Sequence, residues 1–342
     1  MEQIQNCQSN IKNHLTNHQN MTVPVIIDTD GGVDDALALI MALNSPQLDI
    51  KAITVVAGNI NVEQATNNVL RVLSIVQPHT WPIVAKGCEK PLVKPLFNAA
   101  GIHGADGLGE LDRFVQADGT PRYPQLNIEP STDNAIDVIL KAAQEYGDRL
   151  LIVTLGPLTN LATAIQQDAA IMKQIGRIVI MGGAVTVPGN ITPAAEFNFF
   201  VDPDAAQVVM ESGIALTLVG LDVAMKAPLP RQLVEDNLQR RPDKVTQFIA
   251  DCTEIYMAFY RDYEGFYGCY LHDPLAMAVA IDPSLVTTES LYVMVETKGR
   301  FTTGLSLADR RDRRDHQNNP PNAEVCLDVD TQRFLKLFAQ LV

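Results

Sequence analysis

Four aspartates crowd the segment 28–35, at Asp28, Asp30, Asp34 and Asp35. Two unit charges about 4 Å apart repel each other by roughly 1 kcal/mol in water and by about 4 kcal/mol at an effective dielectric of 20. A bound cation would offset this repulsion. Because the segment offers carboxylate oxygens and neither Cys nor His, it favours a hard ion such as Ca²⁺ or Mg²⁺ over zinc.

An ordinary structural role would account for part of this cluster. Asp is common at the N-cap and in the first turn of a helix, where the helix dipole stabilises it by about 0.3–1 kcal/mol. That role fits Asp34 or Asp35, because a helical pattern follows them. It does not fit Asp28 and Asp30, which end a strand-like run.

The neighbouring residues predict a strand, a turn and a helix around the aspartates. The run 23–27 is rich in β-branched residues, Gly31 and Gly32 favour a turn, and an apolar helical pattern follows Asp34. Further strand-like runs alternate with helical patterns, at residues 50–56, 83–85, 150–154, 177–181 and 214–219. We therefore predict an α/β fold with a mostly parallel central sheet flanked by helices.

The length and the strand ends locate a candidate site in this fold. The 342 residues suffice for one large domain or two smaller ones, and because the sequence contains no convincing linker we predict a single large, Rossmann-like domain. Parallel sheets of this kind bind ligands outside the carboxyl ends of their strands. Asp28, Asp30 and Asn59 all fall at that edge of the predicted sheet.

The composition argues against several classes of partner. The net charge of −14 and the pI near 4.8 argue against nucleic acid and against anionic membranes. No apolar run reaches the roughly 18 residues of a membrane span, and the N-terminus lacks the apolar core of a signal peptide, so we expect a cytoplasmic protein. Residues 1–21 are rich in Asn and Gln and predict a poorly ordered tail before a domain over 22–342.

A long loop interrupts the alternation between about residues 87 and 128. It is rich in Pro, Gly and charged residues and contains His103. Long loops inside a compact domain are commonly functional, and many are lids over an active site. A solvated loop histidine is the alternative interpretation of His103.

Two further motifs carry polar side chains close to predicted strand ends. Glu196 and Asn198 stand two residues apart, so on an extended segment both would point to one side and could bind a polyol. His272 and Asp273 precede Pro274, which favours a helix that starts at that point. Asp273 would then also serve as an N-cap.

Aromatic residues at spacings of three and four crowd the helical region that precedes His272. Such spacing places them on one helix face, where they either pack into the core or form a wall against a planar ligand. The candidates for that wall are Tyr256, Tyr260, Tyr263 and Tyr267.

Four ordered motifs resemble the signatures of the inosine-uridine nucleoside hydrolases. They span residues 28–36, 155–160, 196–198 and 272–274. The resemblance covers residues 22–342, so it implies that this segment is a nucleoside hydrolase catalytic domain. One residue departs from the family pattern: the usual Pro after the second Asp is Gly31, which loosens the turn without removing a ligand.

The resemblance implies a metal and a set of site residues. One Ca²⁺ per subunit would be held by Asp30, Asp35, Asp273 and the backbone carbonyl of Leu155. Substrate contacts would come from six residues: Asp34, Asn59, His103, Met181, Glu196 and Asn198. Asp28 matches a carboxylate beside the site, and His272 matches the leaving-group acid of part of the family.

The residue types agree with the reaction that the resemblance implies, which is hydrolysis of ribonucleosides to ribose and free base in nucleoside salvage or catabolism. The reaction passes through an oxocarbenium-like sugar, so it needs a nucleophilic water and a proton or hydrogen bonds for the departing base. Asp30 would be the base toward a water that the cation orients and acidifies. His272 would protonate the leaving base, a step of a kind worth about 10²- to 10⁴-fold.

Two other functions compete with this interpretation. A phosphohydrolase of the haloacid dehalogenase type also uses an acidic strand end, but Gly32 stands where that motif has Thr or Val. A non-catalytic nucleoside or sugar binder could lose Asp30 or His272, and this chain retains both.

The resemblance leaves the preferred base open between purine, pyrimidine and both. It also implies a homo-oligomer, either a homodimer or a homotetramer.

Overall fold

The computed structural model describes residues 22–124, 128–311 and 319–342. The predicted tail over 1–21 therefore lies outside the described residues.

A mostly parallel sheet forms the centre of the described chain. Its eight strands stand in the order β3-β2-β1-β4-β5-β6-β12-β9, and β9 pairs antiparallel with β12 at one edge, with a register shift between Cys326 and Asp328. Two short antiparallel pairs, β7 with β8 and β10 with β11, lie outside this sheet. The strands are β1 (Val23–Thr29), β2 (Leu48–Val55), β3 (Ile83–Lys86), β4 (Leu151–Thr154), β5 (Arg177–Met181), β6 (Leu216–Val219), β7 (Pro228–Pro230), β8 (Gly268–Tyr270), β9 (Val286–Leu291), β10 (Val293–Val295), β11 (Ser306–Ala308) and β12 (Ala323–Val329). The predicted α/β fold is confirmed.

The side chains of β1 alternate between two cores, one on each face of the sheet, and helices cover both faces. Val25 and Ile27 belong to one core, and Ile26 belongs to the other. The α-helices are Val33–Asn44, Val62–Val76, Ala100–His103, Ala135–Tyr146, Thr159–Gln167, Ala169–Met172, Phe197–Val201, Pro203–Met210, Leu221–Ala224, Arg231–Arg240, Lys244–Glu264, His272–Ile281 and Thr331–Leu341. Short 3₁₀ helices span Leu111–Arg113, Gly147–Arg149 and Pro283–Leu285.

Two local predictions need correction. The helix predicted to start at Pro274 begins at His272, with Leu271 at its N-cap, so Asp273 lies in the first turn and is not the cap. Glu196 does not lie on an extended segment with Asn198: it caps the helix Phe197–Val201 by accepting the N–H groups of Asn198 and Phe199.

Two buried helices bring the acidic residues together. The helices Val33–Asn44 and His272–Ile281 pack against each other, and both begin at the carboxyl edge of the sheet. Their first turns carry Asp34 and Asp35 on one side and Asp273 on the other. Among the helices that the structure describes, none is long and apolar enough to cross a membrane.

We predict that Leu37→Ala destabilises the protein by about 2–5 kcal/mol, because it opens a cavity in a close-packed core. Leu37 is fully buried beneath the sheet. The matched control is Val93→Ala, since Val93 is 73% exposed and its truncation should change stability by no more than about 0.5 kcal/mol. Denaturant unfolding of both variants measures the difference, and equal losses would contradict this account of the core.

Candidate active site

A cavity of about 150 Å³ opens at the carboxyl edge of the sheet, where ligands bind in this class of fold. Seven predicted site residues line it: Asp34, Asn59, His103, Met181, Glu196, Asn198 and His272. The two predicted metal ligands Leu155 and Asp273 line it as well. The structure therefore gathers residues from motifs that lie far apart in the sequence.

The turn after β1 is built around the carboxylate of Asp35. Its Oδ1 accepts the hydroxyl of Thr29 and, at 3.2 Å, the N–H of Asp30; its Oδ2 accepts the N–H of Gly32 at 2.8 Å. Gly32 is the N-cap of the following helix, so Asp35 caps that helix in return. The ordinary capping role thus applies to Asp35, and the other three aspartates need a different explanation.

Asp34, Asp35 and Asp273 form a buried cluster of carboxylates. One oxygen from each lies within 4.8 Å of the others. Burial, followed by repulsion from neighbouring carboxylates, raises the pKa of Asp34 to about 8 and the pKa of Asp273 well above its usual range. Since oxygen ligands packed this closely suit a hard divalent cation, these residues fit a metal ion.

Asp30 stands beside this cluster and is held by Asn59. Its Oδ2 accepts the backbone N–H of Asn59 at 2.7 Å, and its Oδ1 accepts the Asn59 side-chain amide at 3.0 Å. Burial and the charge of Asp35 raise the pKa of Asp30. The carbonyl of Leu155 accepts the side-chain amide of Asn198 at 2.7 Å. Leu155 thus lines the same cavity as Asp34 and Asp273, whereas Asp30 is not among the lining residues.

Asp28 lies deeper than the cavity and is not among its lining residues. Its Oδ1 accepts the hydroxyl of Thr54 at 2.5 Å and the amide of Asn160 at 2.8 Å, while its buried Oδ2 has no partner within the described chain. Burial raises the pKa of Asp28 to about 7. Asn160 also donates to the carbonyl of Val55 and accepts the N–H of Cys88. Asp28 and Asn160 together therefore connect the ends of three neighbouring strands.

A group of polar residues borders the cavity on the side of β5. Glu196 accepts the N–H groups of Gly183 and Asn198, each at 2.9 Å, and burial raises its pKa to about 7. The Asn198 amide also donates to the Met181 carbonyl at 3.1 Å. Asn190 lines the cavity here too. Sequence reasoning did not select Asn190, although it lies in the loop that contains Glu196.

His103 is buried and fixed, so it is not a solvated loop histidine. Its Nδ1 accepts the N–H of Val33 at 3.1 Å, which places the ring against the first turn of the helix Val33–Asn44. The ring stacks on Tyr256 at a centroid distance of 5.0 Å. Burial lowers the pKa of His103 to about 4, and the hydrogen bond requires an unprotonated Nδ1.

His272 has no hydrogen-bond partner for either ring nitrogen within the described part of the chain, although it is buried. Burial, with a smaller contribution from His103, lowers its pKa to about 4. Unsatisfied buried polar atoms are uncommon in folded proteins and call for a functional or structural reason. Because His272 lines the cavity, a ligand is the natural partner of its ring.

The aromatic residues divide into two groups. Tyr256 and Tyr260 are buried and line the cavity together with Phe259. Tyr263 and Tyr267 are 78% and 48% exposed and are not among the lining residues. Both interpretations of the aromatic run thus apply to Tyr256 and Tyr260, which pack into the core and also face the cavity.

The sequence profile described as inosine-uridine preferring nucleoside hydrolase matches residues 25–336. The chain belongs to this family. Among curated relatives, a pyrimidine-specific ribonucleoside hydrolase RihA of Salmonella gallinarum is 39% identical over 321 residues, covering 94% of this chain and 98% of its own length. The RihA of Escherichia fergusonii is 40% identical over 323 residues, again covering 94% of this chain and 98% of the relative.

Solved structures agree with this family assignment. A plant nucleoside hydrolase, PpNRh1, superposes with a TM-score of 0.84 at 33% identity and covers 93% of this chain and 98% of its own. A purine-preferring ribonucleoside hydrolase from Gardnerella vaginalis gives a TM-score of 0.84 at 34% identity and covers 93% and 97%. The predicted resemblance is confirmed, and the protein is an enzyme of the ribonucleoside hydrolase family.

The turn between β1 and the helix Val33–Asn44 is called the aspartate turn from here on. We predict that Gly31→Ala in this turn lowers the free energy of unfolding more than a Gly→Ala change in an open loop does. Gly31 has a φ of +70°, and a Cβ there would lie 2.8 Å from the Cα of Ala65. The matched control is Gly213→Ala, because Gly213 has a φ of +75° but no atom within 4 Å.

The control should lose about 1–2 kcal/mol from left-handed backbone strain alone. Gly31→Ala should lose about 1–3 kcal/mol more from overpacking. Denaturant unfolding of the two variants measures both losses, and equal losses would show that the turn tolerates the closer contact.

Proposed function

We propose that this enzyme hydrolyses the N-glycosidic bond of ribonucleosides in a Ca²⁺-dependent reaction and releases ribose and free base. The observation that carries this proposal is the content of one cavity. It combines the buried carboxylates at the aspartate turn, polar groups suited to sugar hydroxyls, and the unpartnered ring of His272. We propose that the catalytic domain spans residues 22–342.

The residues that would hold the cation are Asp30, Asp35, Asp273 and the carbonyl of Leu155. Their oxygen donors and the close approach of Asp35 and Asp273 suit Ca²⁺, which takes six to eight oxygen ligands in flexible geometry. When bound, the ion supplies positive charge that polarises a water and the ribose oxygens. Asp34 also belongs to the close cluster, and we assign it to the ribose hydroxyls.

We assign Asp30 the role of general base toward the water that attacks the anomeric carbon of the sugar. Two N–H groups of Asn59 fix the Asp30 carboxylate, and an ionised carboxylate keeps acceptor capacity beyond those two bonds. A base held this firmly loses little orientational freedom on reaching the transition state.

We assign His272 to the leaving base. Its ring nitrogens have no partner among the residues that the structure describes, so the ring can donate an N–H to a nitrogen or oxygen of the base as the glycosidic bond breaks. Asn59, Met181, Glu196 and Asn198 border the same cavity and would hold the sugar. His103 would cover the substrate from the lid.

The relatives carry different base preferences. Curated relatives are named as pyrimidine-specific, and one structural neighbour is titled purine-preferring. We propose that Tyr256 and Tyr260 contact the base, since both line the cavity beside His103. A cytoplasmic location and a homodimeric or homotetrameric assembly accompany this proposal as predictions from the sequence.

We expect metal-stripped protein to release almost no ribose from inosine or uridine and to regain activity when Ca²⁺ is restored. Measuring both nucleosides side by side ranks the base classes in the same assay. Nucleoside that binds without any release of base, with Ca²⁺ demonstrably bound, would instead support the binding-protein alternative.

We predict that His272→Gln lowers kcat for natural nucleosides by about 10²- to 10⁴-fold, the range for a lost proton donor. The same variant should lose much less activity toward a riboside whose leaving group needs no protonation, such as p-nitrophenyl riboside. The control is His79→Gln, an exposed histidine outside the cavity. If the loss were equal for both leaving groups, His272 would not act on the departing base.

We predict that Tyr260→Phe and Tyr260→Ala change the ratio of kcat/KM between inosine and uridine, because the ring borders the cavity. Tyr263→Ala is the control, since Tyr263 is 78% exposed on the same helix. An unchanged ratio in both Tyr260 variants would remove this residue from the base site.

A further inference from the structure

Asn68 is a buried polar residue that the proposed reaction does not use. It lies within the helix Val62–Val76 and is only 1% exposed. Its side-chain amide donates to two backbone carbonyls, that of Gly31 at 2.9 Å and that of Asp106 at 2.8 Å. Its Oδ1 accepts the side-chain amide of Gln64 at 3.0 Å, so the amide plane is fixed from the other side.

The first of these carbonyls belongs to the aspartate turn. Gly31 follows Asp30 directly, and its backbone lies against the same helix, so closely that a Cβ would meet Ala65. The aspartate turn therefore packs directly against the helix Val62–Val76. Asn68 lies one helical turn beyond Ala65 and binds the turn through the Gly31 carbonyl.

The second carbonyl belongs to residues 99–111, the part of the predicted lid loop that we call the inner lid segment. The Asp106 carboxylate folds this segment by accepting three backbone N–H groups, from Leu108 at 2.9 Å and from Glu110 and Leu111 at 2.8 Å each. Asn68 binds the backbone of the same Asp106. A compactly folded part of the lid is thus attached directly to the helix beneath the turn.

The inner lid segment makes a second, separate contact with the turn. The Nδ1 of His103 accepts the N–H of Val33, and the His103 ring rests on Tyr256. The two contacts differ in kind: His103 lies over the cavity, whereas Asn68 binds from the core side, away from any ligand. Asn68 is not among the residues that line the cavity.

We propose that Asn68 is a positioning residue that couples the inner lid segment to the aspartate turn. One planar amide fixes the separation of two carbonyls, so displacement of the lid leaves a buried N–H without an acceptor or moves the Gly31 carbonyl. The arrangement of Asp30 and Asp35 then depends on whether the lid is in place. By linkage, whatever orders the turn also favours the closed lid.

This coupling is a property of the protein alone, and only its effect on catalysis rests on the proposed function. The decisive experiment is a double-mutant cycle of Asn68→Leu and Asp106→Ala, measured by hydrogen exchange without ligand. Deuterium uptake is compared for peptides that cover residues 28–32 and residues 104–111. Asp106→Ala loosens the inner lid segment, because it removes the acceptor of three N–H groups.

In the background with Asn68, we expect Asp106→Ala to speed exchange of the turn peptide by about two- to thirtyfold, the range of measured coupling energies. In the Asn68→Leu background, the turn should already exchange fast, and Asp106→Ala should add little. The proposal is overturned if Asp106→Ala leaves the turn unchanged when Asn68 is present. It is equally overturned if the acceleration is the same with and without Asn68.

Asn322 provides a matched control for the loss of such an amide. Its side-chain amide also donates to two carbonyls, of Met210 at 3.0 Å and of Val293 at 2.9 Å, at a place remote from the cavity. Asn322→Leu should lower the melting temperature but leave exchange of the turn peptide unchanged. If Asn322→Leu also sped up hydrogen exchange of the turn peptide, the effect of Asn68→Leu would be explained by general destabilisation.

Two further measurements keep the test decisive. If Asn68→Leu does not fold, Asn68→Ser takes its place in the cycle, because a smaller hydroxyl removes the bridge without forcing a large apolar group against Gln64. In the nucleoside assay, Asn68→Leu should lower kcat/KM while Asn322→Leu does not. If the wild-type enzyme released no base, the proposed function would fail, but the exchange cycle would still decide the coupling.

Discussion

The architecture of the site depends on carboxylates that are held out of water. Ionised groups are costly to bury unless they gain charged or hydrogen-bonding partners. Here Asp34, Asp35 and Asp273 meet within 4.8 Å because two packed helices begin at the same edge of the sheet. Burial and mutual repulsion raise the pKa values of Asp34 and Asp273. The fold therefore maintains an arrangement that is unfavourable without a positive charge, which agrees with membership of a metal-dependent hydrolase family.

Hydrogen bonds around these carboxylates form concentric layers. Backbone N–H groups and Asn59 hold Asp35 and Asp30 in place at the cavity. Beneath them, Asn160 holds Asp28 and reaches the ends of neighbouring strands. Both oxygens of Asp35 and of Asp30 accept hydrogen bonds from this layer, whereas one oxygen of the deeper Asp28 has no partner within the described chain. Such support fixes reactive groups within the small tolerances that catalysis requires.

The sequence predicted much of the fold because the local signals were strong. The strand Arg177–Met181 was predicted with its observed bounds, since a regular apolar pattern ends there at a clear breaker, Gly182-Gly183. The rule on parallel strands also predicted Asp28, Asp30 and Asn59 at one edge of the sheet, and the structure joins Asp30 to Asn59 there. Asp273 was misjudged as a cap, since the helix begins one residue before it and its carboxylate faces acids from a distant segment.

The roles of two supporting residues could not be assigned from the sequence. Asn68 and Asn160 are single amides within helices, and their partners come from segments far away in the sequence. Exposure likewise separates Tyr260 from Tyr263, although both lie on the same helix at similar spacing. Periodicity alone cannot distinguish a residue that borders a cavity from one that faces solvent.

The strand β9 has a consequence beyond the site. It closes one edge of the central sheet and runs antiparallel to its neighbour, and its middle residues, Thr287, Thr288, Glu289 and Ser290, are polar and exposed. An open sheet edge invites pairing with a strand of another molecule, and charged side chains and irregular pairing are the usual protection. Glu289 and the register shift in β12 supply both. These features of β9 disfavour edge-to-edge pairing with a strand of another molecule.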